Sequence, residues 1–149
     1  METFEYIRKT DLARQTRKVI RDAQRGMTVV VENHGQPEVA IIDILDYWIL
    51  RAVMRVYAEP VELEPGAGLT DEALADLDPL EKVEVTMTHY LAGAISLGRT
   101  AELLGVPWLD LRTRLLRLDV PLRQGPADSV EARTEVEEIA AWLGHDQGH

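Results

Sequence analysis

The sequence predicts an α+β protein in two parts: a small strand, helix and β-hairpin unit, followed by an all-helical unit. Three observations predict it. Within residues 1–58 the apolar pattern passes from a helical period to two short β-branched runs around a Gly-containing turn. Pro60, Pro65, Gly66, Gly68 and Pro79 then punctuate an acidic stretch, and helical periodicity resumes from Val83. The expected organisation is a first domain at 1–58, an acidic linker at 59–82 and a helical domain at 83–149.

The elements follow in order. Phe4, Tyr6 and Ile7 form a β-prone start, and Thr10 is placed to cap a helix that runs from Asp11 to Ala23 and ends at Gly26. Leu12, Val19, Ile20 and Ala23 recur at helical spacing, which leaves Arg14, Arg17, Lys18, Arg21 and Arg25 on the solvated side. Met27 to Glu32 reads as a buried strand, Asn33-His34-Gly35-Gln36 as a turn, and Val39 to Ile42 as the returning strand. Asp43 is placed as the N-cap of a helix over Ile44 to Tyr57. A short helix is expected at Thr70 to Leu77, then helices at Thr86 to Leu97, Gly98 to Leu104, and from near Pro107 to about Leu118. Asp128 to Leu143 reads as a last amphipathic helix.

Charge is segregated along the chain. The net charge of -10 is unfavourable for a nucleic-acid partner, but residues 1–58 carry 9 basic and 8 acidic side chains, and residues 82–125 carry 6 and 4. The excess of carboxylates lies in 59–81, with 8 acidic and no basic residues, and in 126–149, with 6 and 1. Basic faces can therefore meet DNA while the acidic segments meet a basic protein. Absence of Cys excludes disulfides and thiolate chemistry, and fits a cytoplasmic setting. No apolar run is long enough for a membrane span, and the first residues lack a signal-peptide core. His34, His89, His145 and His149 lack metal-ligand spacing, and Ser96 and Ser129 lack a nucleophile elbow. Neither an enzyme nor a cofactor is expected.

Two stretches resemble known families. The first comprises Arg8-Lys9-Thr10-Asp11-Leu12-Ala13, a helix closed by Gly26, the strand-turn-strand from Val29 to Ile42 with Gly35-Gln36-Pro37 at its turn, and Asp46-Tyr47 in the next helix. It resembles the Phd/YefM family of antitoxins over about a third of the chain. That resemblance implies a homodimer sharing a sheet, with basic residues near the start of each chain (Arg8, Lys9, Arg14, Arg17 and Lys18) on operator DNA. A dimer has a physical reason too, because a domain this small buries only about 60% of its surface and is marginal alone.

The second stretch runs from Tyr90 to Val106 and continues through Pro107-Trp108-Leu109 into a further helix. It looks like the helix-turn-helix of a small prokaryotic family often encoded beside PIN-domain toxins. Ala101 and Gly105 supply the small residue at the helix contact and the glycine at the turn. On the next helix Trp108, Leu111, Leu115 and Leu118 fall on one side, with Asp110, Thr113, Arg114 and Arg117 roughly opposite. Arg99, Thr113, Arg114 and Arg117 are the candidate groove contacts of this half, and surface ion pairs are an equal reading of Arg114 and Arg117.

Together these point to an antitoxin that represses its own promoter and neutralises a toxin, which the second resemblance implies to be a PIN-type ribonuclease. Glu62 and Glu64 in the linker, and Ile139, Trp142 and Leu143 in the last helix, are the candidate toxin contacts; packing onto the protein's own helices is the other reading of Trp142. The rivals are a solitary transcription regulator and a protein-interaction module that never touches DNA.

Overall fold

The computed structural model describes residues 3–64 and 69–123. They form a mixed α+β structure with one three-stranded sheet and seven helices among the described residues. Strand β1 (Thr3–Arg8) leads through two short helices, α1 (Lys9–Leu12) and α2 (Thr16–Gln24), to β2 (Met27–Asn33), with which it pairs in parallel. Strand β3 (Gln36–Ile41) returns antiparallel to β2. The turn between β2 and β3 contains two residues at positive φ, His34 at 51° and Gly35 at 73°. That pair of left-handed residues matches the right-handed twist of a tight hairpin.

The single helix expected from Asp11 to Ala23 is two helices. Thr10 is not its N-cap: it lies inside α1, and Arg8 precedes that helix in an extended conformation with no side-chain cap. Residues 13–15 turn the chain, and the Thr16 hydroxyl donates back to the Leu12 and Ala13 carbonyls. This local side-chain bonding competes with a continuous helix. The α1–α2 layer covers one face of the sheet, where Ile7, Val19, Val29 and Val31 are buried together with Leu12 and Ile41 against them. Strand alternation sends Phe4 and Tyr6 to the other face, 51% and 61% exposed.

Helix α3 (Ile44–Ala58) begins at Asp43, whose carboxylate accepts the Leu45 amide at 3.2 Å, as the sequence predicts. After α4 (Asp71–Leu74) comes α5 (Pro79–Leu91), which starts well before the expected Thr86. Asp78 and Glu81 form a reciprocal capping box there, and Pro79 occupies the first turn where its missing N–H costs nothing. Gly93 at φ 80° closes the element short of Leu97. Helix α6 (Leu97–Leu104) starts on a Ser96 cap and ends on Gly105 at φ 69°, and α7 (Trp108–Arg117) follows Pro107.

Helix α3 belongs to the helical core as much as to the strands it follows. Ile49 and Ala52 from α3 are buried with Val83, Met87 and Tyr90 of α5, Ala101 of α6, and Leu111 and Leu115 of α7. Ile49, Met87, Leu111 and Leu115 are fully buried, each contributing about 1.5–3 kcal/mol by removal from water. Leu74 of α4 packs with Leu69 and Leu103 in a satellite cluster. Leu69 is buried against the body of the protein, and among the described residues after α3 Glu59, Pro60, Val61, Glu62 and Glu64 are exposed.

Candidate nucleic-acid interface

The parallel β1–α2–β2 crossover lays α2 on the sheet through Val19 and Ala23, which turns the opposite side of α2 to solvent. Arg17, Arg21 and Arg25 follow one another at intervals of four residues on that outer side, and Arg14 precedes them in the turn. All four are exposed, and none has an ion pair or side-chain hydrogen bond among the described residues. Like charges one turn apart repel by about 0.2–0.5 kcal/mol per pair. A helix of this length gains nothing internal from such a ladder, although its last members do favour the carbonyl end of the helix dipole.

The other cations expected on DNA in this half are placed differently. Lys18 donates to Glu5 and, at 3.0 Å, to Asp22. These bonds raise the Lys18 pKa, the one to Glu5 most, and the Lys18 hydrogen bond is the main cause that lowers Asp22. Arg8 pairs with Asp11 at 2.8 Å while staying 78% exposed, and Lys9 reaches Glu38 at 3.4 Å. Arg8 and Lys9 lie exposed but ion-paired at the β1–α1 junction, and Arg14 lies in the turn after α1. Arg21 and Arg25, which sequence reasoning placed on the solvated side without assigning them to DNA, extend the ridge. Their signal was the four-residue spacing itself.

In the helical half the picture reverses. Arg114 lies between α7 and the start of α3: its Nε donates to Asp110 at 2.9 Å, and its Nη1 to Asp43 at 2.6 Å and Asp46 at 2.8 Å. Arg117 Nη2 donates to the other oxygen of Asp46 at 2.6 Å. Both arginine side chains are about 15% exposed, and Asp46 is buried. Burial works against the Arg114 charge, but the hydrogen bonds to Asp110, Asp43 and Asp46 outweigh it and raise its pKa. Arg117 also lies over the α2–β2 turn, where a Cβ added at Gly26 would meet its Nη1 at 2.5 Å. Of the two readings left open for Arg114 and Arg117, the geometry shows ion pairing, and the pairs are internal. The wheel placed both opposite the core because it could not see the acidic end of α3.

Arg99 pairs with Glu102 at 2.9 Å and donates to the Leu69 carbonyl at 3.2 Å. Thr113 is exposed on α7, beside exposed Arg112 and Leu116. Glu62 and Glu64 are exposed after α3, whereas Ile139, Trp142 and Leu143 lie outside the described residues, as do His145 and His149. Among the described residues no cluster of His and carboxylate side chains is arranged to hold a metal, and no helix is long and apolar enough to cross a membrane. Comparison of the chain with protein-family models, with curated proteins and with solved structures finds no match.

Proposed function

We propose that this chain binds DNA as a homodimer through the arginine ridge of its first half and acts as the antitoxin and self-repressor of a toxin pair. The ridge is the observation that carries the reading. Arg14, Arg17, Arg21 and Arg25 are exposed and free of carboxylates in a protein that is acidic overall. Phosphate is the partner that this arrangement suits, since each neutralised phosphate releases counterions and adds affinity without base contacts. The resemblance of residues 6–50 to Phd/YefM antitoxins supplies the operator as the target. Exposed Phe4 and Tyr6 on the uncovered sheet face supply apolar surface for a second protomer.

The toxin side of the proposal rests on Glu62 and Glu64, exposed in a segment without basic residues. Such a segment is complementary to the basic, RNA-binding surface of a ribonuclease, and the second resemblance makes a PIN-type enzyme the proposed partner. Inhibition then needs only occlusion of that surface, with no chemistry by this chain.

Binding to the chain's own promoter, followed as a function of salt, tests the reading. Each of Arg17→Ala, Arg21→Ala and Arg25→Ala is expected to reduce the slope of log affinity against log salt by about 0.9, the contribution of one phosphate contact. A wild-type protein with no promoter preference, or slopes unchanged in all three variants, defeats the DNA reading. Failure to rescue growth when the adjacent reading frame is induced defeats the antitoxin part.

A further inference from the structure

We propose that the Arg114 and Arg117 cluster is an intramolecular latch, which clamps α7 onto the first turn of α3 and the Gly26 turn and so withholds the cations of α7 from DNA. The latch rests on the DNA reading above for its consequence, though not for its existence. Two guanidiniums face three carboxylates, Asp43, Asp46 and Asp110, in a region where both arginines are about 15% exposed and Asp46 is buried. Asp43 and Asp46 lie at the N-cap and in the first turn of α3, where unsatisfied backbone N–H groups favour negative charge. Each guanidinium is thus fixed by hydrogen bonds from one side of α7 to an element 68–71 residues away in sequence.

The geometry leaves α7 poor in free charge. Arg99 is committed to Glu102 and the Leu69 carbonyl, so Arg112 is the remaining exposed arginine of α6 and α7. A recognition helix with its arginines turned inward cannot form bidentate contacts with guanine. Moving both guanidiniums to phosphates would strand Asp46 as a buried unpaired charge, which costs far more than exposed phosphate contacts return. The clamp has a second arm. Arg117 crosses the Gly26 turn, next to Arg25 at the end of the ridge. The helical half is thereby anchored beside the proposed DNA face and excluded from it. Loss of the Asp43 and Asp46 charges is the change that would open the latch and add α7 to the interface.

Arginine-selective modification by phenylglyoxal, with each site quantified by mass spectrometry, tests this in the full-length chain. In the free wild-type protein Arg17 and Arg21 should react at least about tenfold faster than Arg114 and Arg117, since a hydrogen-bonded and largely buried guanidinium is withheld from solution reagents. Promoter duplex should then protect Arg17 and Arg21 and leave Arg114 and Arg117 as slow as before. In the Asp43→Asn/Asp46→Asn variant the two α7 arginines should approach the rate of Arg21, and the salt slope of DNA binding should steepen by up to about 1.8, two further phosphate contacts. Wild-type Arg114 and Arg117 reacting as fast as Arg21 in free protein would overturn the latch, and that reading needs neither a variant nor DNA. Protection of those two residues only on addition of duplex would overturn it as well, by making them direct contacts. If no duplex binds, the free-protein rates still decide the latch while the DNA reading alone fails.

Discussion

Asp46 and Arg117 meet at 2.6 Å across 71 residues of sequence, and Arg114 takes the second oxygen of the same carboxylate at 2.8 Å. Asp46 is almost wholly buried, at 3% exposure, so this one side chain bridges two cations that water cannot reach well. Removing it leaves Arg117 without its carboxylate and Arg114 with Asp43 and Asp110 alone. Asp46→Ala should lower the unfolding free energy by about 3–5 kcal/mol, and Asp46→Asn by less, because an amide oxygen still accepts one hydrogen bond. Urea unfolding of the three proteins, with slopes compared to confirm a common two-state transition, checks the order.

Gly26 and Gly35 separate two costs that usually come together. Both have positive φ, 101° and 73°, but only at Gly26 does an added Cβ run into a neighbour, with Arg117 Nη1 at 2.5 Å and Cζ at 2.6 Å. Gly35→Ala should cost about 1–2 kcal/mol, the penalty of left-handed backbone for an L-residue. Gly26→Ala should cost more, and the excess should vanish when it is measured in an Arg117→Ala background. A double-mutant cycle by thermal or urea unfolding reads that excess directly.

Two N-caps allow a similar comparison. Asp78 caps α5 on the surface, its carboxylate accepting the Glu81 amide at 2.9 Å while its own amide donates to the Glu81 carboxylate, whereas Asp43 caps α3 and also accepts from Arg114 at 2.6 Å. Asp78→Ala should therefore cost about 1 kcal/mol, the value of an ordinary cap. Asp43→Ala should exceed it clearly, since a cap and a buried charge partner are lost together. Equal costs for the two variants would show that the Asp43–Arg114 bond adds nothing to stability.

Lys18 and Asp22 give the first half a definite pH response. The Asp22 carboxyl lies below its ordinary range because Lys18 donates to it, so its contribution is complete above that range and is lost as pH falls through the lowered value. Lys18 lies above its ordinary value because it donates to Glu5 and to Asp22, so its contribution is complete below about 10.5 and is lost only as pH rises beyond it. The pair should leave stability level between these limits. Asp22→Asn should lower the neutral plateau and flatten the acid limb of a stability profile, leaving stability at the acid end little changed, as measured by thermal unfolding at a series of pH values.

Much of the fold was legible because local chemistry specified it. The hairpin turn at His34-Gly35, the Asp43 cap and the glycine closing α6 each state their geometry within a few residues, and all three stand where the sequence puts them. The misplaced boundaries have local causes as well: Thr16 bonding back to Leu12 splits the first helix, and the Asp78–Glu81 box starts α5 early. What the sequence hid was contact at long range. Nothing near Arg114 announces Asp43 or Asp46, so a wheel that counts only the residues of α7 turns its arginines outward. In the ridge the reverse holds, since spacing alone brings Arg17, Arg21 and Arg25 to one side of α2.

The sharing of α3 between strands and helices also bears on how the protein tolerates a broken chain. Ile49 and Ala52 hold it against Val83, Met87 and Tyr90, while the peptide bonds that leave it run through residues 59–64, all exposed but half-buried Leu63. A protease acting there would sever one covalent link and leave the buried seam intact. The two fragments should stay associated on a sizing column in native buffer and separate only in denaturant, and the same pieces made separately should reconstitute the whole on mixing.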